Sequence, residues 1–218
     1  ESLQNSLSTP KKPLLAIIGG SKILTKIDIL KNLNKKVDTM IIGGAMANTF
    51  LLAKGISIGA SLFESQCIDI AQDIINDAKE KNVNLIIPVD GKVAKSLSMN
   101  AVAKNKNIED IETDDMILDL GAESIKIILG ELKKAETVIW NGPLGAIEYK
   151  PFDQATITVA KELARNCKQK NIKVVAGGGD TIYGINLSKC VKDFTHVSTA
   201  GGAFLEWLEG KTLPGVSA

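Results

Sequence analysis

The chain has 218 residues, with 26 Lys and Arg against 25 Asp and Glu, one histidine, 44% hydrophobic residues and 4% aromatics. That apolar content excludes a disordered or collagen-like chain. The formal net charge of +1 gives no global attraction for nucleic acid or an anionic membrane, so any polyanion site must be local. In chain order, Leu3 and Leu7 at helical spacing, followed by Thr9-Pro10-Lys11-Lys12-Pro13, predict a short helix and a linker. A strand at 14–18 then leads to a helix at 23–35, and a strand at 38–42 to a helix at 45–54. A helix at 65–81 precedes a strand at 84–88, and the polar stretch 91–114 reads as an irregular or weakly stranded excursion within the same unit. Further on come a strand at 115–119, a helix at 124–134, a strand at 136–140 and a helix at 153–169. The strand at 172–176, helix at 181–187, strand at 194–198 and helix at 203–208 complete the set. This alternation predicts an α/β fold: a three-layer, Rossmann-like, mostly parallel sheet with helices on both faces. No apolar run approaches the ~20 residues of a membrane span, and the first ten residues lack the pattern of a secretory signal. The chain therefore reads as soluble and cytoplasmic.

Five of the seven predicted strands run into glycine: Gly19-Gly20-Ser21-Lys22, Gly43-Gly44-Ala45, Asn141-Gly142-Pro143-Leu144-Gly145, Gly177-Gly178-Gly179-Asp180-Thr181 and Ala200-Gly201-Gly202-Ala203. In a parallel sheet the carboxyl ends of the strands share one edge, where ligands of open α/β sheets bind. Glycine leaves backbone N–H groups uncovered, and a helix opening there adds its unpaired amides and positive dipole end. The pattern predicts a phosphate site built largely of backbone, although one or two such loops are equally explained as short turns. Gly210-Lys211-Thr212 is not a P-loop, because Leu205 stands where the leading glycine belongs and Pro214 follows; no G-x-G-x-x-G is present either.

Only one basic residue, Arg165, is an arginine, so anion chemistry here rests on lysine and backbone. Lys22 and Lys26, four apart beside the first glycine loop, are expected on one helix face, where two ammonium groups would neutralise a transferring phosphoryl group. Asp180 either caps the helix it opens or, with Thr181 beside it, holds Mg²⁺. Glu148 either accepts from a sugar hydroxyl or is solvated. His196 and the tryptophans Trp140 and Trp207 read as packing residues. So do the three widely spaced cysteines, Cys67, Cys167 and Cys190.

The ordered set Ala16-Ile17-Ile18-Gly19-Gly20-Ser21-Lys22-Ile23-Leu24-Thr25-Lys26-Ile27, Ile41-Ile42-Gly43-Gly44-Ala45-Met46-Ala47, Pro88-Val89-Asp90, Trp140-Asn141-Gly142-Pro143-Leu144-Gly145, Gly177-Gly178-Gly179-Asp180-Thr181 and Leu213-Pro214-Gly215-Val216 closely resembles the phosphoglycerate kinase family. The likeness covers that family's carboxyl-terminal, nucleotide-binding half. It implies that residues 1–13 are an interdomain helix and linker, that 14–218 form the nucleotide-binding domain, and that an amino-terminal substrate domain is missing. The implied reaction moves a phosphoryl group between the acyl phosphate of 1,3-bisphosphoglycerate and ADP, giving 3-phosphoglycerate and MgATP. By position, Lys22 and Lys26 match phosphate-contacting lysines and Asp180 the metal-linked aspartate. Thr181 and Asn141 match phosphate contacts, and Pro143 and Glu148 ribose contacts. Gly20, Ser21, Gly44, Ala45, Leu62, Met116 and Leu118 fall at the adenine pocket, while Gly178, Gly179, Gly201 and Gly202 carry helix-end amides. The resemblance further implies a monomer that meets 3-phosphoglycerate only through the missing domain. Against the family pattern, Ala45, Ala155 and Ala200 replace glycines and Ile147 a common phenylalanine. A non-catalytic adenine-nucleotide-binding module is the alternative; it would be marked by loss of Lys26 or Asp180, and both are present.

Overall fold

The computed structural model describes residues 10–198 and 201–211; the predicted opening helix and the Leu213–Val216 motif lie outside them. Six strands make one parallel sheet in the order β3-β2-β1-β7-β8-β9. They are β1 (Leu14–Ile18), β2 (Thr39–Ile42), β3 (Asn84–Ile86), β7 (Thr137–Asn141), β8 (Lys173–Gly177) and β9 (His196–Ser198). The four inner strands, β2, β1, β7 and β8, are buried along nearly all their length, as strands covered on both faces are, whereas the edge strands β3 and β9 are only partly buried; alternate residues feed opposite layers. Leu14, Ala16 and Ile18 of β1 join one core, Leu15 and Ile17 the other.

The first core is closed by α1 (Ile27–Leu33), α2 (Met46–Ala53), α3 (Ile68–Glu80) and α7 (Gly201–Leu208), through residues such as Leu30, Phe50, Ile74 and Phe204. The second is closed by α4 (Ala122–Leu132), α5 (Gln154–Lys170) and α6 (Gly179–Leu187), through Ile128, Leu163 and Ile185. The three-layer arrangement expected from the alternation is thus present.

One expectation takes a definite form and another needs correction. The segment 91–114, expected as irregular or weakly stranded, is stranded. It carries most of β4 (Asp90–Ala94) and all of β5 (Lys104–Asn107), which pair with β6 (Met116–Leu120) in a three-stranded antiparallel sheet of order β5-β4-β6. The strand expected at 115–119 therefore belongs to this small sheet rather than to the parallel one. Its half-buried pattern and the lysine- and asparagine-rich β5 suit an antiparallel sheet with one solvated face. The small sheet is bound to the main body by Ala146 N–H, which donates to the Leu118 carbonyl at 2.8 Å. Among the described residues no helix is long and apolar enough to cross a membrane.

Candidate functional site

The chain winds outward from β1 through β2 to β3, then returns beside β1 with β7 and winds the other way through β8 to β9. Strand order therefore reverses between β1 and β7, and the loops leaving their carboxyl ends part to leave a crevice. Two clefts open there. One, of about 430 Å³, is walled by Gly20, Ser21, Gly44, Ala45, Leu62, Met116, Leu118, Pro143 and Glu148. The other, of about 230 Å³, is lined by Lys26, Asn141, Gly142, Gly178, Gly179 and Thr181. Asp180 lies on both.

The larger cleft is mainly apolar, with the small sheet as its outer wall. Its floor depends on close backbone packing. Gly44 has φ +66°, and a side chain there would run into the backbone of Gly20. Gly20 N–H donates to the Pro143 carbonyl at 2.8 Å and Gly44 N–H to Leu144 at 3.0 Å, so three glycine-rich loops form one hydrogen-bonded surface.

The second cleft is polar. Gly178, with φ +100°, turns the chain directly from β8 into α6, whose first bond runs from Ile182 N–H to Gly178 at 3.0 Å. The amides of Gly179, Asp180 and Thr181 precede that bond and stand at the positive end of the helix. Thr181 is buried and bridges two loops: its hydroxyl accepts from Gly142 N–H at 2.6 Å and donates to the Gly177 carbonyl at 2.8 Å. Asn141 is also buried; its Nδ2 donates to Gly177 at 2.9 Å, which leaves Oδ1 without a partner.

Lys26 reaches into this cleft, its Nζ donating to the carbonyls of Gly19 at 2.6 Å and Asn141 at 3.4 Å. Burial brings its pKa down from the ordinary 10.5 to about 8, with the Asp180 carboxylate opposing the drop. Lys22 does not join it. The predicted helix at 23–35 starts with a 3₁₀ turn, Leu24–Lys26, and becomes α-helical only at Ile27. Lys22 stands outside any helix, is exposed and lines neither cleft, so the expected pairing of two lysines on one face does not form.

The glycine loops also differ in what they offer. Met46 N–H at the start of α2 is taken by the Gly20 carbonyl at 3.0 Å, and the β7 loop leads to no immediate helix. Gly201 and Gly202 open α7 after β9, but 199 and 200 lie outside the described residues. Among the described residues, the α6 start offers three adjacent amides, those of Gly179, Asp180 and Thr181, with no acceptor in the protein.

A hard cation would find oxygen donors here. Asp180 is exposed where the clefts meet, makes no hydrogen bond or ion pair among the described residues, and lies inside α6 rather than at its cap, which is Gly178. Asn141 Oδ1 is buried and unpartnered nearby. One carboxylate plus ligand oxygens is the usual protein share of a Mg²⁺ site. The one three-carboxylate grouping among the described residues, Glu112, Asp114 and Asp115, is remote in sequence from Asp180 and already paired with Lys95 and Lys106.

The family profile described as phosphoglycerate kinase matches residues 1–211. The chain belongs to the phosphoglycerate kinase family. It is 50% identical over 218 residues to the phosphoglycerate kinase of Chelativorans sp. (strain BNC1), covering all of this chain and 55% of that protein. Against that of Rhizobium meliloti (strain 1021) it is 49% identical over 216 residues, covering 54% of the relative. The structure of phosphoglycerate kinase from Coxiella burnetii superposes with a TM-score of 0.91 at 44% identity, over 96% of this chain and 54% of that one. The chain thus spans about half the length of the relatives it matches.

Within this family frame, the alanine at 45 is accommodated: it sits at the start of α2 with ordinary helical φ and only edges the larger cleft. Ile147 and Ala155 are both buried, the latter at the α5 start. His196 lies on the edge strand β9, and Trp140 is a core residue whose Nε1 donates to the Gly142 carbonyl at 2.8 Å. Sequence reasoning missed Leu97, which adds to the larger cleft, and Glu64, whose carboxylate accepts from the amides of Ile23 and Leu24. An exposed leucine in a polar loop and a glutamate between a loop and a helix carry no periodic signal by which either could have been found.

Proposed function

We propose that this chain is the nucleotide-binding half of a phosphoglycerate kinase, a cytoplasmic glycolytic enzyme. The enzyme would move a phosphoryl group between the acyl phosphate of 1,3-bisphosphoglycerate and ADP, giving 3-phosphoglycerate and ATP. The observation that carries this reading is the junction of an apolar and a polar cleft at one exposed carboxylate, Asp180, on the switch-point edge of the sheet.

The adenine would lie in the larger cleft between Leu62 and Leu118, its ribose towards Pro143 and Glu148. The phosphates would then point at the α6 amides, with Lys26 beside the transferring group. Asp180 would hold Mg²⁺, which neutralises phosphate charge during transfer. Lys26 and the helix-start amides stabilise the charge that shifts between oxygens, and they need no proton transfer to do so. For 3-phosphoglycerate the described residues offer no comparable site. The single arginine, Arg165, is on α5 and donates to Glu162 at 2.6 Å. The acceptor would therefore be held by residues outside this chain.

Calorimetric titration of the chain with ADP, with and without Mg²⁺, tests this. Binding of MgADP is expected, and Asp180→Ala should weaken it more than it weakens metal-free ADP. Equal loss in both conditions would remove Asp180 from the metal site, and no binding by the parent chain would overturn the reading.

A further inference from the structure

The turn that carries Lys26 begins with two amides, Ile23 N–H and Leu24 N–H, and both donate to a single carboxylate oxygen of Glu64, the second at 3.4 Å. Amides at the start of a helical segment are ordinarily open to an anion from outside. Here the chain supplies its own. Glu64 comes from the segment between α2 and α3, far from the turn in sequence but firmly seated. Its N–H donates to Oγ1 of Thr49, buried on α2, at 3.1 Å; two residues back, the Leu62 carbonyl accepts from Nδ2 of buried Asn48 at 2.9 Å. On the turn itself, the Ile23 side chain is wholly buried in the first core. The backbone at 23 and 24 is thus pinned by packing through Ile23 and by a charge-assisted bond through Glu64. Lys26 follows two residues later and folds back to the Gly19 carbonyl.

We infer that Glu64 is a positioning residue for Lys26: its carboxylate fixes the turn at 23–26 so that Lys26 Nζ is held over the carbonyls of Gly19 and Asn141 in the polar cleft. The inference rests on the nucleotide reading only for what Lys26 then serves; the placement itself needs no ligand.

The test is an NMR titration of the Lys26 side chain in the full chain without nucleotide, for the parent, Glu64→Gln and Glu64→Ala. The sign of the change decides. Loss of a nearby negative charge alone would lower the lysine pKa further, whereas release of the ammonium from the cleft into water raises it towards the ordinary value. Lys26 is expected to titrate near 8 in the parent. It should rise above roughly 9.5 in Glu64→Ala and rise less in Glu64→Gln, which keeps a neutral acceptor oxygen of the same length. An unchanged or lowered value in the folded variants overturns the inference, and Glu64→Gln alone decides if Glu64→Ala does not fold. Because no nucleotide enters the titration, failure of MgADP binding in the parent would sink the proposed function and leave this result standing.

Discussion

At the scale of single residues, the proposed chemistry would gather on one lysine. Lys26 is half-buried, and burial holds its pKa near 8, so close to neutrality most molecules carry the ammonium and above pH 8 most do not. A bound phosphate favours the charged form and must raise that pKa, so nucleotide binding at pH 8 is expected to take up roughly half a proton. Calorimetry of ADP binding in buffers of different ionisation heat measures the uptake directly. It should be absent in Lys26→Met, and ADP affinity in the parent should decline as pH rises through 8; uptake that persists in the variant would mean that another group titrates. Lys22 shows the limit of reading a site from spacing. Four residues separate it from Lys26, but an i, i+4 alignment exists only inside a helix, and the helix begins after both.

At the scale of elements, two aspartates to which sequence reasoning assigned no role tie the small sheet to the helices. Asp90, the first residue of β4, caps α4 from a distance: its carboxylate accepts from Glu123 N–H at 2.9 Å and Ser124 N–H at 2.7 Å. It lines neither cleft of the site. Asp90→Ala is expected to cost about 1–3 kcal/mol by leaving these amides unpaired, lowering the melting temperature by roughly 2–4 °C per kcal/mol while MgADP affinity of the folded chain is unchanged. Asp119 on β6 does the same for α5, accepting from Ala155 N–H at 3.0 Å and Leu120 N–H at 2.9 Å. Burial pushes its pKa up to about 7, against the pull of those two amides and of Lys92. An unfolded aspartate ionises near 3.9. Between that value and 7 the folded chain therefore binds the extra proton, so this group's contribution to stability is full below about pH 4 and is lost as pH rises to 7. Thermal melts across pH 5–8 should show the parent losing stability relative to Asp119→Asn up to pH 7 and no further relative change above it. A constant difference would mean that Asp119 is ionised throughout.

At the scale of the whole molecule, one sheet sandwiched between two apolar layers is expected to unfold in a single cooperative transition, as domains of this size usually do. A melt whose near- and far-ultraviolet signals separate would count against this. In the proposed reading the adenine and phosphates would have partners here, and the acceptor would have none among the described residues. MgADP affinity should therefore be retained by the chain alone, while its turnover falls orders of magnitude below that of a full-length relative. Positioning of a second reactant can supply roughly 7–11 kcal/mol, and that contribution is forfeited. Turnover near the full-length rate would require an acceptor site within these 218 residues.

What the residues determined by themselves was periodic or local. Apolar β-rich runs marked the six strands of the parallel sheet, glycines after five of them marked one edge of it, and the Gly177–Thr181 run placed the free amides and the carboxylate beside each other in the chain. Each of these depends on neighbours within a few positions, and so is legible in one dimension. The tertiary structure alone decided the rest. The order of strands set β1 beside β7 and so located the crevice. The antiparallel pairing of β4, β5 and β6 took the strand at 116–120 out of the parallel sheet and made it a cleft wall. Glu64, forty-one positions from Ile23, took up two amides of the turn after the first loop. Such contacts join residues far apart in sequence, and no propensity or spacing encodes them; they exist because two layers packed on one sheet leave those groups nowhere else to go.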